Sequence, residues 1–257
     1  MYFSALQNLE WIVMYSGAEL RFHIVSDDKT RPIISDIMNR INQTSNCIFT
    51  YKYYNMFKFQ KYINNILLHK LKIEEDNLME YLSPLVLPFL LKNTNYIIYM
   101  KTSMVFQANI VDLYNFIKEK DALFAVAYEQ TDKYQNSFEI YNNQQPTSRV
   151  KNFTGFNTDV LLMNSKLIRM SEDFLESIKK ERLINLVNKY FYQYGGEFLQ
   201  LSEYFNLIYI EFWSWIQVLP CEWNKLDSKK VTHKCKPRGK IINHNEKDFT
   251  EAWQLYN

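Results

Sequence analysis

Tyr96-Ile97-Ile98-Tyr99-Met100-Lys101-Thr102-Ser103-Met104-Val105-Phe106 is the stretch from which the fold is read. Its first five residues form a short run with no polar face, the pattern of a strand covered on both sides in a parallel sheet. A cation and two hydroxyl residues interrupt the run before Met104, and a helical pattern follows near Asn109 to Lys118. A strand at Leu123 to Ala127 comes next, so strand and helix alternate. Such alternation points to an α/β domain with a mostly parallel central sheet flanked by helices.

Upstream, Leu20-Arg21-Phe22-His23-Ile24-Val25-Ser26 reads as a buried strand ending at the acidic pair Asp27-Asp28, where a helix through Ile34, Ile37 and Ile41 begins. Cys47 to Tyr51 is a second strand, and Tyr54 to Leu71 carries apolar residues at mostly helical spacing. Downstream, Lys133 to Thr147 is polar and aperiodic, which predicts a long surface loop. Val160-Leu161-Leu162-Met163 is again a strand. Ser171 suits a helix N-cap, with Glu172 and Asp173 in the first turn, and a second helical run uses Leu183, Leu186, Val187 and Tyr190. With no internal repeat and no low-complexity linker, residues 1–257 read as a single domain.

Composition excludes several functions. The 30 basic and 28 acidic residues leave a formal charge of +2, so no global field favours nucleic acid or an anionic membrane. The longest apolar stretch, Leu82 to Met100, is broken by Pro84, Pro88 and Lys92 and falls short of the roughly 20 apolar residues of a membrane span. His23, His69, His233 and His244 lack metalloprotease spacing, and there is no Gly-x-Ser-x-Gly and no Gly-rich phosphate loop among only 5 glycines. Cys47, Cys221 and Cys235 form no Cys-x-x-Cys. Spacing leaves Cys221 and Cys235 open either as two thiols or as a disulfide contributing on the order of 3 kcal/mol. Two glycosylation sequons, Asn42-Gln43-Thr44 and Asn152-Phe153-Thr154, are compatible with a secretory compartment. The aromatic group Tyr190-Phe191-Tyr192, Phe212-Trp213 and Trp215 fits either core packing or the stacking of a sugar face.

Four islands carry a resemblance. They are Leu20 to Asp28; Leu87-Pro88-Phe89-Leu90 through Phe106 to Leu113; Gly155-Phe156-Asn157-Thr158-Asp159-Val160-Leu161-Leu162-Met163-Asn164; and Val218-Leu219-Pro220-Cys221-Glu222-Trp223-Asn224 with Cys235 and Lys240-Ile241-Ile242-Asn243-His244-Asn245. In that order and spacing the chain, from about Leu20 to about Asn245, resembles family 8 glycosyltransferases and, more closely, xyloside xylosyltransferases. The third island resembles the family's Gly-Phe-Asn-Ser-Gly-Val-Met-Leu strand, and the fourth its Cys-x-Trp-Asn, second Cys and closing His-Gly-Asn.

The resemblance implies a GT-A nucleotide-sugar transferase fold, UDP-xylose as donor, a xylosylated O-glycan on EGF-like repeats as acceptor, and a retaining transfer that makes an α1,3 linkage. It also implies a Cys221–Cys235 disulfide, an endoplasmic reticulum or Golgi lumen, and a membrane anchor outside this chain. The family begins with a nucleotide-binding strand before its first helix, whereas this chain starts near that helix, around Ala5 to Met14. The expectation is therefore a domain incomplete at its N-terminus and lacking the first strand.

The family holds Mn²⁺ with an Asp-x-Asp motif and a late His. Here that motif's place reads Lys101-Thr102-Ser103, and Asn243 stands in the place of the His beside His244. Lys101 repels a divalent ion, and Ser103 and Asn243 are weak substitutes, so conventional Mn²⁺ binding is not expected. Two readings stand for Lys101: an ammonium in the position of the metal charge, pairing with the diphosphate, or a solvated residue in a drifted site. Near the donor sugar, Leu201-Ser202-Glu203 replaces an Asp-Gln-Asp segment, keeping one carboxylate. Asn157 and Asp159 complete the expected cleft, with Asp159 where the family has Gly. On this resemblance Asn157, Asp159, Ser202 and Glu203 are the candidate catalytic positions, and Lys101, Ser103, Asn243 and His244 the candidate donor-binding ones. The alternative is a degenerate transferase that serves as a lumenal binding module.

Overall fold

A computed structural model describes residues 2–63, 84–85, 87–101, 104–132, 154–177, 206, 213–227, 235 and 239–244. The first part runs α1 (Tyr2–Tyr15), β1 (Leu20–Ser26), α2 (Arg31–Thr44), β2 (Phe49–Asn55) and α3 (Met56–Ile63). β1 and β2 pair in parallel from Leu20↔Phe49 to Ser26↔Asn55. Pro32 in the first turn of α2 has its φ already set for helix, and the Asp27 carboxylate accepts from the Thr30 N–H at 2.8 Å, which tightens the turn that starts it. Ile37, Met38 and Ile41 recur on one face of α2 and are buried with Val13 of α1 against Leu20, Phe22 and Ile24.

The second part contains β3 (Tyr96–Met100), β4 (Met104–Phe106), α4 (Ile110–Lys118), β5 (Phe124–Tyr128), β6 (Phe156–Asn164), α5 (Ser165–Met170), α6 (Glu172–Ser177), β7 (Ile216–Val218), β8 (Lys225–Asp227) and β9 (Ile241–His244). One sheet has the order β3-β6-β5-β7 and another β4-β9-β8. Asn109 caps α4 by accepting from the Val111 N–H at 3.0 Å, and Ser171 accepts from the Phe174 N–H at 3.2 Å at the start of α6, as its position in the sequence suggests. Ile110, Leu113 and Ile117 of α4 bury with Ile12 of α1, Met104 and Phe106 of β4, Val160 and Leu162 of β6, and Ile241 of β9. Side chains from several sheets thus share one core. Gly155, at φ 95°, occupies a left-handed position just before β6 that a Cβ would strain, and its carbonyl accepts from the Glu129 N–H at 2.9 Å.

The α/β reading holds, with a correction to the stretch that carried it. β3 lies antiparallel to β6, and β6 is antiparallel to β5; parallel pairing occurs in β1–β2, β5–β7 and β8–β9. An apolar run reports cover on both faces, and that cover is the same whichever way the neighbouring strand points. Boundaries also move: the second strand runs Phe49–Asn55, and the helix after it begins at Met56, two residues later than expected. The loop expected at Lys133 to Thr147 and the helical run around Leu183 to Tyr190 lie outside the described residues.

Cys221 and Cys235 form a disulfide, leaving Cys47 as the free cysteine. Cys221 opens a 3₁₀ turn, Cys221–Asn224, which is tied through both backbone and side chain to Lys240, the residue before β9: the Lys240 N–H donates to the Glu222 carbonyl at 2.7 Å, and Lys240 Nζ lies 3.1 Å from Glu222 Oε1 and 4.5 Å from the Trp223 ring centre. Among the described residues no helix is long and apolar enough to cross a membrane.

Candidate functional site

The antiparallel register of β3 and β6 pairs Met100 with Val160, and the ladder continues one step further, where the Lys101 N–H donates to the Asp159 carbonyl at 3.0 Å. Lys101 and Asp159 are therefore directly opposite each other. Directly opposed residues of opposite charge on neighbouring strands attract each other. The Lys101 ammonium lies 2.9 Å from Asp159 Oδ1, with the two side chains 25% and 22% exposed. Two residues that look unrelated in the sequence are thus halves of one ion pair, open to solvent on one side.

Backbone pairing places two more of the expected positions. β4 starts three residues after Lys101, and its Met104 pairs with Asn243 on β9; His244 pairs in turn with Asp227 on β8. Asn243 and His244 are described by their backbone alone, and Ser103, Ser202 and Glu203 lie outside the described residues. An Mn²⁺ ion does not fit the donor set seen here. The carboxylate of Asp159 is already satisfied by an ammonium, whose charge opposes a divalent cation at the same place. Among the described residues no three His, Cys, Asp or Glu side chains are grouped so as to share a metal.

Asn157 has a different character. It is 5% exposed, and Asn224, fully buried, donates from Nδ2 to both the Asn157 carbonyl at 3.1 Å and Asn157 Oδ1 at 3.0 Å. Asn157 Oδ1 also accepts from the Asp159 N–H at 3.0 Å. The network extends through Gln130, which donates from Nε2 to the Asn224 carbonyl at 2.6 Å and accepts at Oε1 from the Leu226 N–H at 3.1 Å. Glu129 Oε1 accepts from the Gln130 and Thr131 N–H groups and the Thr131 hydroxyl. This chain of amides joins β6, the end of β5, the disulfide-bearing turn and β8. Asn157, expected as a polar group of the cleft, instead faces the interior and fixes the backbone on which Asp159 stands. Gln130, Asn224 and Asn206, whose side chain bonds the Phe156 backbone in both directions, escaped sequence reading. Amides carry no charge or periodicity that announces burial; the one available signal was Asn224 within the Cys-x-Trp-Asn island.

Two further features face outward. A cavity of about 540 Å³ lies where β1 and β2 end, lined by Asp28, Arg31, Tyr53, Tyr54, Asn55, Lys58, Phe59 and Leu90. Ligands of open α/β sheets bind outside the carboxyl ends of parallel strands, which is where this cavity sits. The Arg31 guanidinium lies 5.3 Å from the Tyr53 ring centre. Burial, with the charges of Asp28 and Asp27, pushes the Tyr53 phenol up, so it stays protonated and donates to the Ser26 carbonyl at 2.7 Å and to that of Asp27. At the end of β5, Tyr128 stacks on Phe156 and Trp213 while keeping 40% of its surface exposed, and burial of the remainder raises its phenol as well. Of the aromatic group noted in the sequence, Trp213 is thereby placed in packing, 5.2 Å from the Phe156 ring. Tyr190, Phe191, Tyr192 and Phe212 lie outside the described residues.

Mouse xyloside xylosyltransferase 1, in its apo crystal form, superposes with a TM-score of 0.80 over 95% of this chain and 92% of its own, at 17% identity. A bifunctional glycosyltransferase, WbbM, superposes with a TM-score of 0.67 over 94% of this chain and 43% of its own, at 12% identity. The fold is that of a GT-A glycosyltransferase. In sequence, human xyloside xylosyltransferase 1 is 25% identical over 137 residues, which cover 50% of this chain and 34% of that protein. The glycosyltransferase-like protein LARGE of Caenorhabditis elegans is 24% identical over 224 residues, 85% of this chain and 32% of that protein. The chain thus spans about a third of the length of these curated relatives. No family model matches. The likeness to xyloside xylosyltransferases read from the four islands is the one returned by both sequence and structure, and the GT-A domain is what the two share.

Proposed function

We propose that this chain is the donor-binding domain of a lumenal glycosyltransferase that takes xylose from UDP-xylose and transfers it, with retention and an α1,3 linkage, to a xylosylated O-glycan on EGF-like repeats. The observation that supports this reading is the pairing of Lys101, after β3, with Asp159 on β6, two positions that the resemblance assigns to the donor cleft, within a GT-A fold. Asn157 acts behind them as a positioning residue. Ser202, Glu203 and His244 complete the proposed site by their places in the resemblance. The cavity at the ends of β1 and β2 offers aromatic faces for a base and Asp28, Asn55 and Arg31 for sugar hydroxyls, which supports a nucleotide there. The Cys221–Cys235 disulfide supports an oxidising compartment of the endoplasmic reticulum or Golgi.

A second reading is favoured by the ion pair itself. With the Lys101 ammonium engaged by Asp159, part of its charge is withheld from a leaving diphosphate, and electrostatic stabilisation of that group is usually a large part of catalysis. On this reading the domain binds nucleotide sugar or acceptor glycan without turnover. Calorimetric titration of UDP-xylose and UDP, followed by mass spectrometry of a xylosylated EGF-repeat acceptor incubated with UDP-xylose, separates the two. A gain of one pentose on the acceptor supports transfer. Nucleotide binding with no mass gain leaves the binding module, and binding of neither nucleotide removes the donor site from both readings.

A further inference from the structure

We infer that Asn42 is an N-glycosylation site of this protein, and that its glycan covers the end of the β1–β2 unit opposite the cavity. The inference rests on the reading that the chain folds in a secretory lumen, which the Cys221–Cys235 disulfide supports. Asn42-Gln43-Thr44 meets the acceptor pattern, with a residue other than proline between the amide and the hydroxyl. The structure adds what the tripeptide alone does not carry. Asn42, Gln43 and Thr44 are all exposed and form the end of α2, where a helix opens locally at little cost. Ser45 then leaves the helix in extended backbone. The other sequon, Asn152-Phe153-Thr154, has its asparagine outside the described residues and carries no part of the inference.

Position decides what a glycan does here. Arg31 opens α2 at the cavity where β1 and β2 end, and Asn42 stands about three turns, roughly 16 Å, further along the helix, clear of that cavity. At this far end β1 and β2 begin, with the Leu20 N–H donating to the Ile48 carbonyl at 3.1 Å. Met14, Ile41, Thr44, Cys47 and Ile48 border one depression there, of about 830 Å³. Met14 is 62% exposed and Ile48 72%, and Cys47 beside them is a half-buried thiol. Apolar side chains this exposed favour association, and a bulky hydrophilic glycan rooted two residues from Thr44 screens them. In the transfer, Asn42 Nδ2 bonds to the anomeric carbon of an oligosaccharide carried on a lipid pyrophosphate. The carbon–oxygen bond to that pyrophosphate breaks, the lipid pyrophosphate leaves with the bonding pair, and the amide gives up one proton.

The test sends the chain to the lumen of cultured eukaryotic cells behind a cleavable leader, as wild type, Asn42→Gln, Thr44→Ala, Thr44→Ser and Asn152→Gln. Protease protection in sealed microsomes and non-reducing gels establish that each is lumenal with its disulfide formed. Mass is read before and after peptide N-glycosidase, together with mass spectrometry of the peptide that holds Asn42. The expected result is a glycan on Asn42 in the wild type, Thr44→Ser and Asn152→Gln, and its complete loss in Asn42→Gln and in Thr44→Ala, which keeps the asparagine itself. Enzymatic removal of the glycan from the native wild type should raise the share that sediments as a dimer or larger. An unmodified Asn42 peptide from a lumenal, disulfide-bonded wild type overturns the site and leaves the lumenal reading in place. Unchanged sedimentation overturns the covering role while the attachment stands. The natural protein is fractionated in parallel with an antibody to this chain, and finding it in the cytosol overturns the lumenal reading and the modification with it.

Discussion

Asn157 and Asp159 stand two residues apart on β6 and are joined by a hydrogen bond, yet they belong to different regimes. Asn157 is buried in a continuous amide network with Asn224 and Gln130, whereas Asp159 is partly exposed and pairs with the Lys101 ammonium across the strand pair. A buried polar group left without its partner costs about 1 to 3 kcal/mol, while an exposed ion pair contributes about 0 to 1 kcal/mol. Stability is therefore expected to depend more on Asn157 than on Asp159. Charge at residues 101 and 159 is therefore expected to be easier to change than the amide frame beside it. The difference teaches that one strand can carry a buried amide that holds the backbone and, two residues on, a charged residue that solvent reaches, through separate interactions.

The largest effect should come from breaking the frame. Asn224→Leu removes the donor to both oxygens of Asn157 and should lower stability by about 3 kcal/mol, or roughly 6 to 12 °C in melting temperature for a chain of this length. A change of under about 1 kcal/mol would show that the network is not what holds β6. Next, the double substitution Cys221→Ser and Cys235→Ser opens a loop of 14 residues' separation and should cost about 2 to 3 kcal/mol in chemical denaturation. Because the turn it anchors carries Asn224, that loss should combine less than additively with Asn224→Leu. Lys101→Met and Asp159→Asn should each shift stability by less than about 1 kcal/mol, and a larger loss would make the pair part of the frame after all.

The smallest effect lies in the β1–β2 region, away from β6. His23 Nδ1 is 3.0 Å from the Tyr54 hydroxyl, and its pKa is lowered, first by burial and then by the charges of Arg21 and Lys52. The folded state thus favours neutral imidazole. Above the ordinary value of 6.5 both states are neutral and the contribution is fully present; as pH falls below it the unfolded chain takes up the proton first, and stability is lost down to the folded pKa. Melting temperatures between pH 7.5 and 5.5 should fall more for the wild type than for His23→Gln, and parallel slopes would remove His23 from the balance.

Much of this architecture was legible beforehand because it depends on local pattern. The alternation around Ile34, Ile37 and Ile41 placed α2, Ser171 placed the start of α6, and the apolar run at Tyr96 placed β3, since hydrophobic spacing and caps act within a few residues. Pairing direction was not legible there, because cover on both faces is the same for either direction. The Cys221–Cys235 link came from the family resemblance, spacing having left it open. Burial of Asn157 and Asn224 was hidden for another reason: an amide is equally suited to a cleft or a core until the surrounding donors and acceptors are in place.

The sequence alone determined an alternating α/β chain, its likeness to xyloside xylosyltransferases, and the absence of carboxylates at positions 101 and 103. Each of these follows from which residue stands at which place along the chain. Only the tertiary structure decided that Lys101 faces Asp159, that Met104 pairs with Asn243, and that Asn157 is buried against Asn224. These are consequences of strand register, which is set by how whole faces of apolar side chains find common cover, and no single residue in the chain carries that information.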